Sequence, residues 1–177
     1  MSKENPKILF VGKGRAGKDE AATFLDAHCG LRYGGSTSWA ALPLVAQHLV
    51  LHPMFAWETR HDRRIEWKAH CDWLRRDDPC FLIKRALETG NVITGVRGLP
   101  EIEAAPSVVD YIVWIENPRA PHDPTVDFGP EKSTDQIIND GTLRRFHTRL
   151  IWWAIHRSIP GLKFSPYANE LLTHHHD

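Results

Sequence analysis

Residues 12–19 carry the clearest chemical signal in the chain. They read Gly-Lys-Gly-Arg-Ala-Gly-Lys-Asp and directly follow the apolar run Ile8–Val11. This is the G-x-x-x-x-G-K spacing of a phosphate-binding loop, placed where a buried strand should end. Small residues let backbone N–H groups turn inward around a polyphosphate, and Lys18 adds a cation toward its β- and γ-phosphates. The strand and helix patterns on either side favour this interpretation over an ordinary glycine-rich turn.

Asp19 stands where such loops usually carry a Ser or Thr hydroxyl that reaches Mg²⁺. A carboxylate can hold the same metal, directly or through a water. An acid is equally typical of the first turn of a helix, where the macrodipole stabilises it. Both roles stay open. The predicted phosphate-binding residues are Gly12, Lys13, Gly14, Arg15, Ala16, Gly17, Lys18, Asp19 and Glu20, with Asp19 as the candidate metal ligand.

Composition and charge exclude several classes of protein. The 177 residues predict one domain, and Lys plus Arg equal Asp plus Glu at 22 each, so no net charge draws the chain to nucleic acid or membrane. We find no charged-then-apolar leader and no apolar stretch near the ~18 residues of a membrane span. Three scattered cysteines without a C-x-x-C pair suit a reducing compartment. We therefore expect a cytoplasmic α/β protein without a membrane partner.

The elements that must position the loop follow from hydrophobic periodicity and turn residues. The pattern predicts helices at 18–29, 39–51, 58–76, 79–88 and 142–157, strands at 8–11, 91–94, 108–115 and 136–139, a turn at 33–35 and a loop over 117–131. Strands alternating with helices predict a mainly parallel sheet covered on both faces. Ligands of such sheets bind at the carboxyl ends of the strands. The phosphate-binding loop, Arg97 and the 117–131 loop should therefore converge there.

Three blocks of sequence resemble phage deoxynucleoside monophosphate kinases and related phage 5-hydroxymethyl-deoxyuridine DNA kinases. They are residues 12–19, residues 93–101 (Ile-Thr-Gly-Val-Arg-Gly-Leu-Pro-Glu) and residues 138–143 (Ile-Asn-Asp-Gly-Thr-Leu). In the family they read like G-x-x-R-S-G-K-D, D-V-R-x-x-x-E and N-D-G-[ST]-L. The resemblance implies a three-layer P-loop kinase fold, ATP and Mg²⁺ as cofactors, a deoxynucleotide acceptor, and residence in the host cytoplasm.

Two departures from the family pattern concern the acceptor. Gly95 stands where the second block usually has an acid, and residues 39–44 replace an Ala-Asp-Pro-Leu-Lys-like stretch without either charge. The sequence therefore supports ATP use better than it identifies the acceptor. We expect a kinase domain over residues 1–160, with an acceptor-side helical segment at 52–88 and a lid-like loop at 117–135. Residues 161–177 are expected to be a C-terminal tail, whose histidines are excluded from function.

The candidate catalytic residues are Lys18, Arg15, Arg97, Arg119 and Glu101. Arg15 could bind the γ-phosphate or the acceptor, because guanidinium matches phosphate bidentately, or it could be an exposed loop arginine. Arg97 leaves a predicted strand end and is the preferred acceptor-side arginine. Glu101 follows four residues later, so it could pair with Arg97 on a helical turn or act in catalysis.

Arg119 lies in the proline-rich loop, where the resemblance implies a lid. A lid excludes water from the site and so limits wasteful ATP hydrolysis. Lys132 is a weaker candidate for the same role. Both residues could equally be surface charges.

The predicted 58–76 helix carries a basic stripe whose role is ambiguous. The stripe is Arg60, Arg64 and Lys68, beside an apolar stripe of Ile65, Ala69 and Trp73. Such a pattern is typical of an amphipathic helix with solvated cations, and we prefer that interpretation. The alternative is a positive wall for an acceptor phosphate or a DNA backbone, with Trp57 or Trp67 stacking on a base.

Three functions remain. The leading hypothesis is a kinase that converts a dNMP to a dNDP, and the first alternative phosphorylates the 5-hydroxymethyl group of 5-hydroxymethyl-deoxyuridine in DNA. That hydroxyl would need a carboxylate base, for which Asp19 or Glu101 could serve. The second alternative is a non-catalytic nucleotide-binding protein, supported by Gly95. The aromatic last helix could bury against a second copy as readily as against the core, so a homodimer stays open.

Overall fold

The structure, a computed structural model, describes residues 5–173 and contains in that range one sheet of five parallel strands. The strands are β1 Ile8–Val11, β2 Tyr33–Ser36, β3 Val92–Thr94, β4 Tyr111–Glu116 and β5 Asp135–Ile138. Their order is β2-β3-β1-β4-β5, which places β1 at the centre and β5 at an edge. The predicted parallel sheet is confirmed, as is the short edge strand near 136–139.

Eight α-helices and three 3₁₀ turns complete the described part of the chain. The helices are α1 Lys18–Cys29, α2 Thr37–His48, α3 Pro53–Glu58, α4 Arg64–Leu74, α5 Phe81–Leu87, α6 Leu99–Ala104, α7 Leu143–His156 and α8 Pro166–Thr173. The turns are Thr59–His61, Ala105–Ser107 and Pro130–Lys132. Hydroxyl caps begin two of the longer helices: Ser36 accepts from the Trp39 N–H at 3.1 Å, and Thr142 accepts from the Arg145 N–H at 3.2 Å.

Helices cover both faces of the sheet, which makes the protein an α/β structure of three layers. Ile8 and Phe10 of β1 belong to a buried cluster with α1, α7 and α8. Leu9 and Val11 point to the opposite face and belong to a cluster with α5 and α6. Since both faces are buried, the central strand is apolar at every position. This explains why four consecutive apolar residues predicted it.

A third cluster joins α2, α3, α4 and α5 beside the sheet, with Ala41, Ala56, Trp67 and Leu82 among its members. α2 starts directly after edge strand β2, so this helical region is attached next to the carboxyl ends of β2 and β3. We call α3, α4 and the turn between them the helical wall. It lies within residues 52–88, the segment expected on the acceptor side, which also contains α5.

The predicted turn at residues 33–35 is wrong, because Tyr33–Ser36 forms strand β2. Two glycines in four residues resemble a turn, and the strand's partner β3 lies far along the chain. The glycines serve close packing instead. A Cβ on Gly34 would lie 2.4 Å from the backbone oxygen of Ala86.

Two further expectations change. The helix predicted at 58–76 is broken by the turn at Thr59–His61, so that α4 spans Arg64–Leu74 alone. The expected C-terminal tail contains α8, which buries Ala168 and Leu171 in the cluster shared with α1 and α7. The three histidines at 174–176 lie outside the described residues.

The aromatic helix predicted at 142–157 is α7, and it packs largely within the chain. Phe146 and Trp153 of α7 are buried in the core beside Phe10. Within residues 5–173, no helix has both the length and the apolar character that crossing a bilayer requires.

Candidate active site at the carboxyl end of the sheet

The loop between β1 and α1 follows a path that needs glycine. Gly12 and Gly17 have φ values of +139° and +103°, a region that favours glycine. A Cβ on Gly12 would lie 2.5 Å from the Ile115 oxygen, and one on Gly17 would lie 2.6 Å from Asn139 Nδ2. Asn139 also donates to the Ala16 oxygen at 2.9 Å, which ties residues 138–143 to the loop.

Lys18 lies buried at the start of α1, with its ammonium group inside the loop. Its Nζ donates to the backbone oxygens of Gly12 at 2.9 Å and Lys13 at 2.5 Å. Burial and then the nearby charge of Arg97 lower the pKa of Lys18 from 10.5 to about 8. A cation held among other cations in this way favours an anionic ligand.

Asp19 has two hydroxyl partners from the neighbouring strands. Its Oδ1 accepts from Tyr33 Oη at 3.0 Å and from Thr94 Oγ1 at 2.7 Å. Burial raises the pKa of Tyr33, so the phenol keeps its proton and can donate. These bonds hold the carboxylate at the cleft described below.

A Mg²⁺ ion bound with nucleotide fits the donor set at Asp19. This ion usually takes one or two carboxylates and completes its shell with waters and phosphate oxygens. Among the described residues, no group of three or more His, Cys, Asp or Glu side chains could hold an ion. The site therefore offers one oriented carboxylate, and the remaining ligands would have to come from phosphate and water.

An open cleft of about 860 Å³ separates the loop from the helical wall. Its lining residues are Gly14, Arg15, Lys18, Asp19, Tyr33, Gly35, Ser36, Ser38, Trp39, Trp57, Arg60, His61, Arg64, Thr94, Gly95 and Arg97. Five of these are Lys or Arg and one is a carboxylate, so the cleft is positive. A smaller inner pocket of about 90 Å³ continues from it between α4 and the end of β3.

The helical wall contributes cations and aromatic rings to the cleft. The Arg60 guanidinium lies 3.6 Å from the ring centre of Trp57, and the Trp57 and Trp39 rings meet edge-on at 4.9 Å. Arg60 and Arg64 thus face the phosphate-binding loop across the cleft. This is the placement that the interpretation of the basic stripe as a positive wall required. Lys68 pairs with Asp72 at 2.8 Å instead.

Of the two tryptophans considered for base stacking, the structure places Trp57 at the cleft. Trp67 is 6% exposed and belongs to the buried cluster between α2 and α4. A base could therefore not stack on the face of Trp67. Trp39, which the sequence did not single out, takes that place beside Trp57.

Arg97 lies in the cleft as predicted, but its partner is Asp123. Arg97 Nη1 donates to Asp123 Oδ2 at 2.7 Å and also bonds Thr125 Oγ1. The Gly14 N–H donates to the same Asp123 oxygen at 2.8 Å. Burial alone would raise the pKa of Asp123, but the Thr125 bonds and the charge of Arg97 outweigh it and hold the pKa well below its usual range.

Sequence reasoning missed Asp123. Its local pattern, an Asp before Pro124 with Thr125 two residues on, is typical of a turn in which the side chain accepts from the backbone. That turn exists, since the Thr125 N–H donates to Asp123 Oδ1 at 3.1 Å. Nothing in the pattern indicates that the other oxygen reaches a loop 109 residues away.

Glu101 does not pair with the Arg97 side chain, and it does not line the cleft. Its carboxylate bonds Arg75, the residue directly after α4. The residue is 2% exposed, and burial raises its pKa to about 7 despite Arg75. A catalytic contact by Glu101 does not fit this position. Glu101 lies on α6, and this helix directs its side chain toward Arg75 and not toward the side chain of Arg97.

Glu20 and Arg119, two further predicted site residues, lie outside the cleft lining. Glu20 Oε1 is 2.7 Å from His147 Nε2 on α7, so its side chain points away from the cleft. Arg119 is exposed and bonds the backbone oxygen of Asp140, above the turn that precedes α7. Lys132 pairs with Glu103 at 2.6 Å.

Gly95, where the resemblance leads one to expect an acid, has no room for a side chain. Its φ is +101°, and a Cβ would lie 2.9 Å from Thr37 Oγ1 and 3.0 Å from the Thr37 nitrogen. The end of β3 therefore approaches the start of α2 too closely for any larger residue. This packing explains why the position carries glycine and not an acid.

Comparisons with known proteins identify no family for this chain. No family model matches the sequence, and no curated protein matches it significantly.

Proposed function

We propose that the protein is a P-loop kinase that transfers the γ-phosphoryl group of ATP to a deoxynucleoside monophosphate. One observation carries the proposal. Lys18, in a glycine-dependent loop, lies across one cleft from Arg97, Arg60 and Arg64. Phosphoryl transfer depends mainly on positioning and on neutralising the charge of the moving group. The resemblance in three sequence blocks supports the same reaction.

In this reaction an oxygen of the acceptor phosphate attacks the γ-phosphorus, and the bond from that phosphorus to the bridging oxygen of the β-phosphate breaks. ADP leaves, and no proton needs to be removed because the acceptor is already an anion. Lys18 would exchange the oxygens of Gly12 and Lys13 for phosphate oxygens. Mg²⁺, when bound through Asp19, would neutralise part of the phosphate charge.

Arg97 and Arg60 would hold the acceptor's phosphate, and Trp39 and Trp57 would hold its base. One arginine can donate two parallel hydrogen bonds to the oxygens of a phosphate, and every base offers a face that stacks on an aromatic ring. The arrangement gives the acceptor a cationic end near Lys18 and an aromatic end at the mouth of the cleft.

The contacts of α4 favour a free nucleotide over DNA as the acceptor. Beyond Arg64, Lys68 pairs with Asp72, and Arg75 pairs with Asp72 and Glu101. A DNA backbone needs unpaired positive charge along its path. A hydroxyl acceptor would also need a carboxylate base. Glu101 is buried away from the cleft, which leaves only Asp19, the carboxylate that the proposal assigns to Mg²⁺.

The test offers γ-labelled ATP and Mg²⁺ with each of the four dNMPs, with 5-hydroxymethyl-dUMP, and with duplex DNA containing 5-hydroxymethyluracil. We expect label in a free dNDP, and Lys18→Ala should reduce the rate by about 10²- to 10³-fold, as loss of one charge-stabilising group typically does. Lys84→Ala, an exposed lysine of α5 that pairs with Asp78, is the matched control. Label in DNA alone would transfer the proposal to a DNA-modifying kinase. ATP binding without transfer to any acceptor would leave a nucleotide-binding protein.

A further inference from the structure

Asp123 lies in the proline-rich segment of residues 117–131, yet its carboxylate rests on the phosphate-binding loop. The residue is 5% exposed. Its Oδ2 accepts from the Gly14 N–H at 2.8 Å and from Arg97 Nη1 at 2.7 Å, and Arg64 Nη2 approaches to 3.7 Å. One carboxylate oxygen thus collects a loop amide and two guanidinium groups.

These donors are the groups that the proposed function assigns to phosphate. The Gly14 amide is one of the loop N–H groups that turn toward a polyphosphate, and Arg97 and Arg64 line the cleft. A Cβ placed on Gly14 would lie 2.7 Å from Asp123 Oδ2, so the carboxylate is in direct contact with the loop. In charge and in hydrogen bonding, this oxygen resembles a phosphate oxygen.

We propose that Asp123 is an internal anion that occupies a phosphate-oxygen position of the loop until a polyphosphate displaces it together with its segment. The proposal rests on the proposed function. Asp123 and a phosphate cannot share the Gly14 amide and Arg97, because two anions at one set of donors repel each other. Displacement frees both arginines for the ligand, so phosphate binding and release of the segment occur together.

The segment provides a direct readout of that displacement. The Thr125 N–H donates to Asp123 Oδ1 at 3.1 Å, and the Val126 N–H donates to the Asp123 backbone oxygen at 3.2 Å. When Asp123 leaves the loop, this turn loses the support of Arg97 and Gly14. Amide hydrogen exchange at residues 123–126 should then accelerate.

The experiment compares wild type, Asp123→Asn and Asp127→Asn. Asp127→Asn is the matched control, because it removes the same charge from an exposed position of the same segment. Calorimetry measures the dissociation constant of metal-free pyrophosphate, and hydrogen exchange is followed with and without that ligand. We expect at least tenfold tighter binding by Asp123→Asn, a change under twofold for Asp127→Asn, and faster exchange at 123–126 when pyrophosphate binds to wild type.

Equal or weaker binding of metal-free pyrophosphate by Asp123→Asn would overturn the inference, and so would unchanged exchange in wild type on binding. If Asp123→Asn behaves as expected and the enzyme still transfers no phosphoryl group, the proposed function fails and the inference stands. If no variant binds pyrophosphate, both fail.

Discussion

The two walls of the cleft are built differently. On the loop wall, which we define as residues 12–19, close packing fixes the backbone path and the Lys18 side chain: Gly12 and Gly17 leave no space for a Cβ, and Lys18 is buried. On the helical wall and the adjoining first turn of α2 the functional atoms stand at the ends of long side chains, and Trp39 of α2 is 48% exposed. Under the proposed function, the rigid loop backbone would bind the donor phosphates, and the more adaptable opposite wall would bind the acceptor.

The largest effect should follow from adding one methyl group to the loop wall. In Gly12→Ala the new Cβ would lie 2.5 Å from the Ile115 oxygen in a backbone conformation that disfavours side chains. We expect the free energy of unfolding to fall by more than about 3 kcal/mol, measured by urea denaturation. Gly98→Ala, whose Cβ would meet nothing nearer than Pro100 Cδ at 3.9 Å, should change it by less than about 1 kcal/mol. Similar losses in both variants would mean that the loop wall is not rigid.

A rise in pH above about 8 should weaken the binding of polyphosphate to the loop wall. Since the pKa of Lys18 is lowered to about 8, polyphosphate affinity should be level below that pH and fall up to tenfold per pH unit above it. Calorimetry with pyrophosphate between pH 7 and 9.5 measures this.

Folding stability provides the control for that titration. The folded pKa of Lys18 lies below its unfolded value of 10.5, so the contribution of Lys18 to stability rises between pH 8 and 10.5. Above pH 8, polyphosphate affinity should therefore fall with rising pH while the contribution of Lys18 to folding stability rises. Affinity that stays constant to pH 9.5 would contradict the role given to Lys18.

On the helical wall, Arg60→Ala should raise the KM for the acceptor about tenfold, the loss expected for one hydrogen bond to a charged group. The KM for ATP should stay within twofold, because Arg60 faces the acceptor end of the cleft. Arg63→Ala is the matched control, since Arg63 pairs with Glu66 at 3.7 Å and does not line the cleft. An equal rise in both Michaelis constants would show that the two walls do not divide the substrates.

The smallest effect on kinetics is expected for Trp39, at the mouth of the cleft. Trp39→Phe keeps an aromatic face but reduces its area, so we expect the acceptor KM to rise about threefold, and more in Trp39→Ala. Steady-state kinetics with the preferred acceptor measures the difference. If Trp39→Ala behaves like wild type, the tryptophan pair does not hold the base.

The same difference between the walls explains what the sequence could predict. The strand at Ile8–Val11, the loop and α1 are contiguous, so one short pattern contained the geometry that holds Lys18. The partners Asp123 with Gly14 and Glu101 with Arg75 are 109 and 26 residues apart and meet through tertiary packing alone. Local patterns therefore predicted the residues of the loop wall and misassigned the partner of Arg97.

Strand β2 was missed for a related reason. Two of its four residues, Gly34 and Gly35, have little strand propensity of their own, and pairing with β3 together with close packing of Gly34 against Ala86 forms the strand. Tyr33 then reaches Asp19, so a strand that the sequence did not predict also orients the candidate metal ligand.

The edge-on pair of Trp39 and Trp57 has a consequence for spectroscopy. Two indole rings fixed at 4.9 Å and 86° couple their electronic transitions, and the coupled pair should give a characteristic signed band in the circular dichroism spectrum. Any base that enters between the rings would separate them and abolish that band. The tryptophan pair thus provides an optical probe of the proposed acceptor site, without a label and without catalytic turnover.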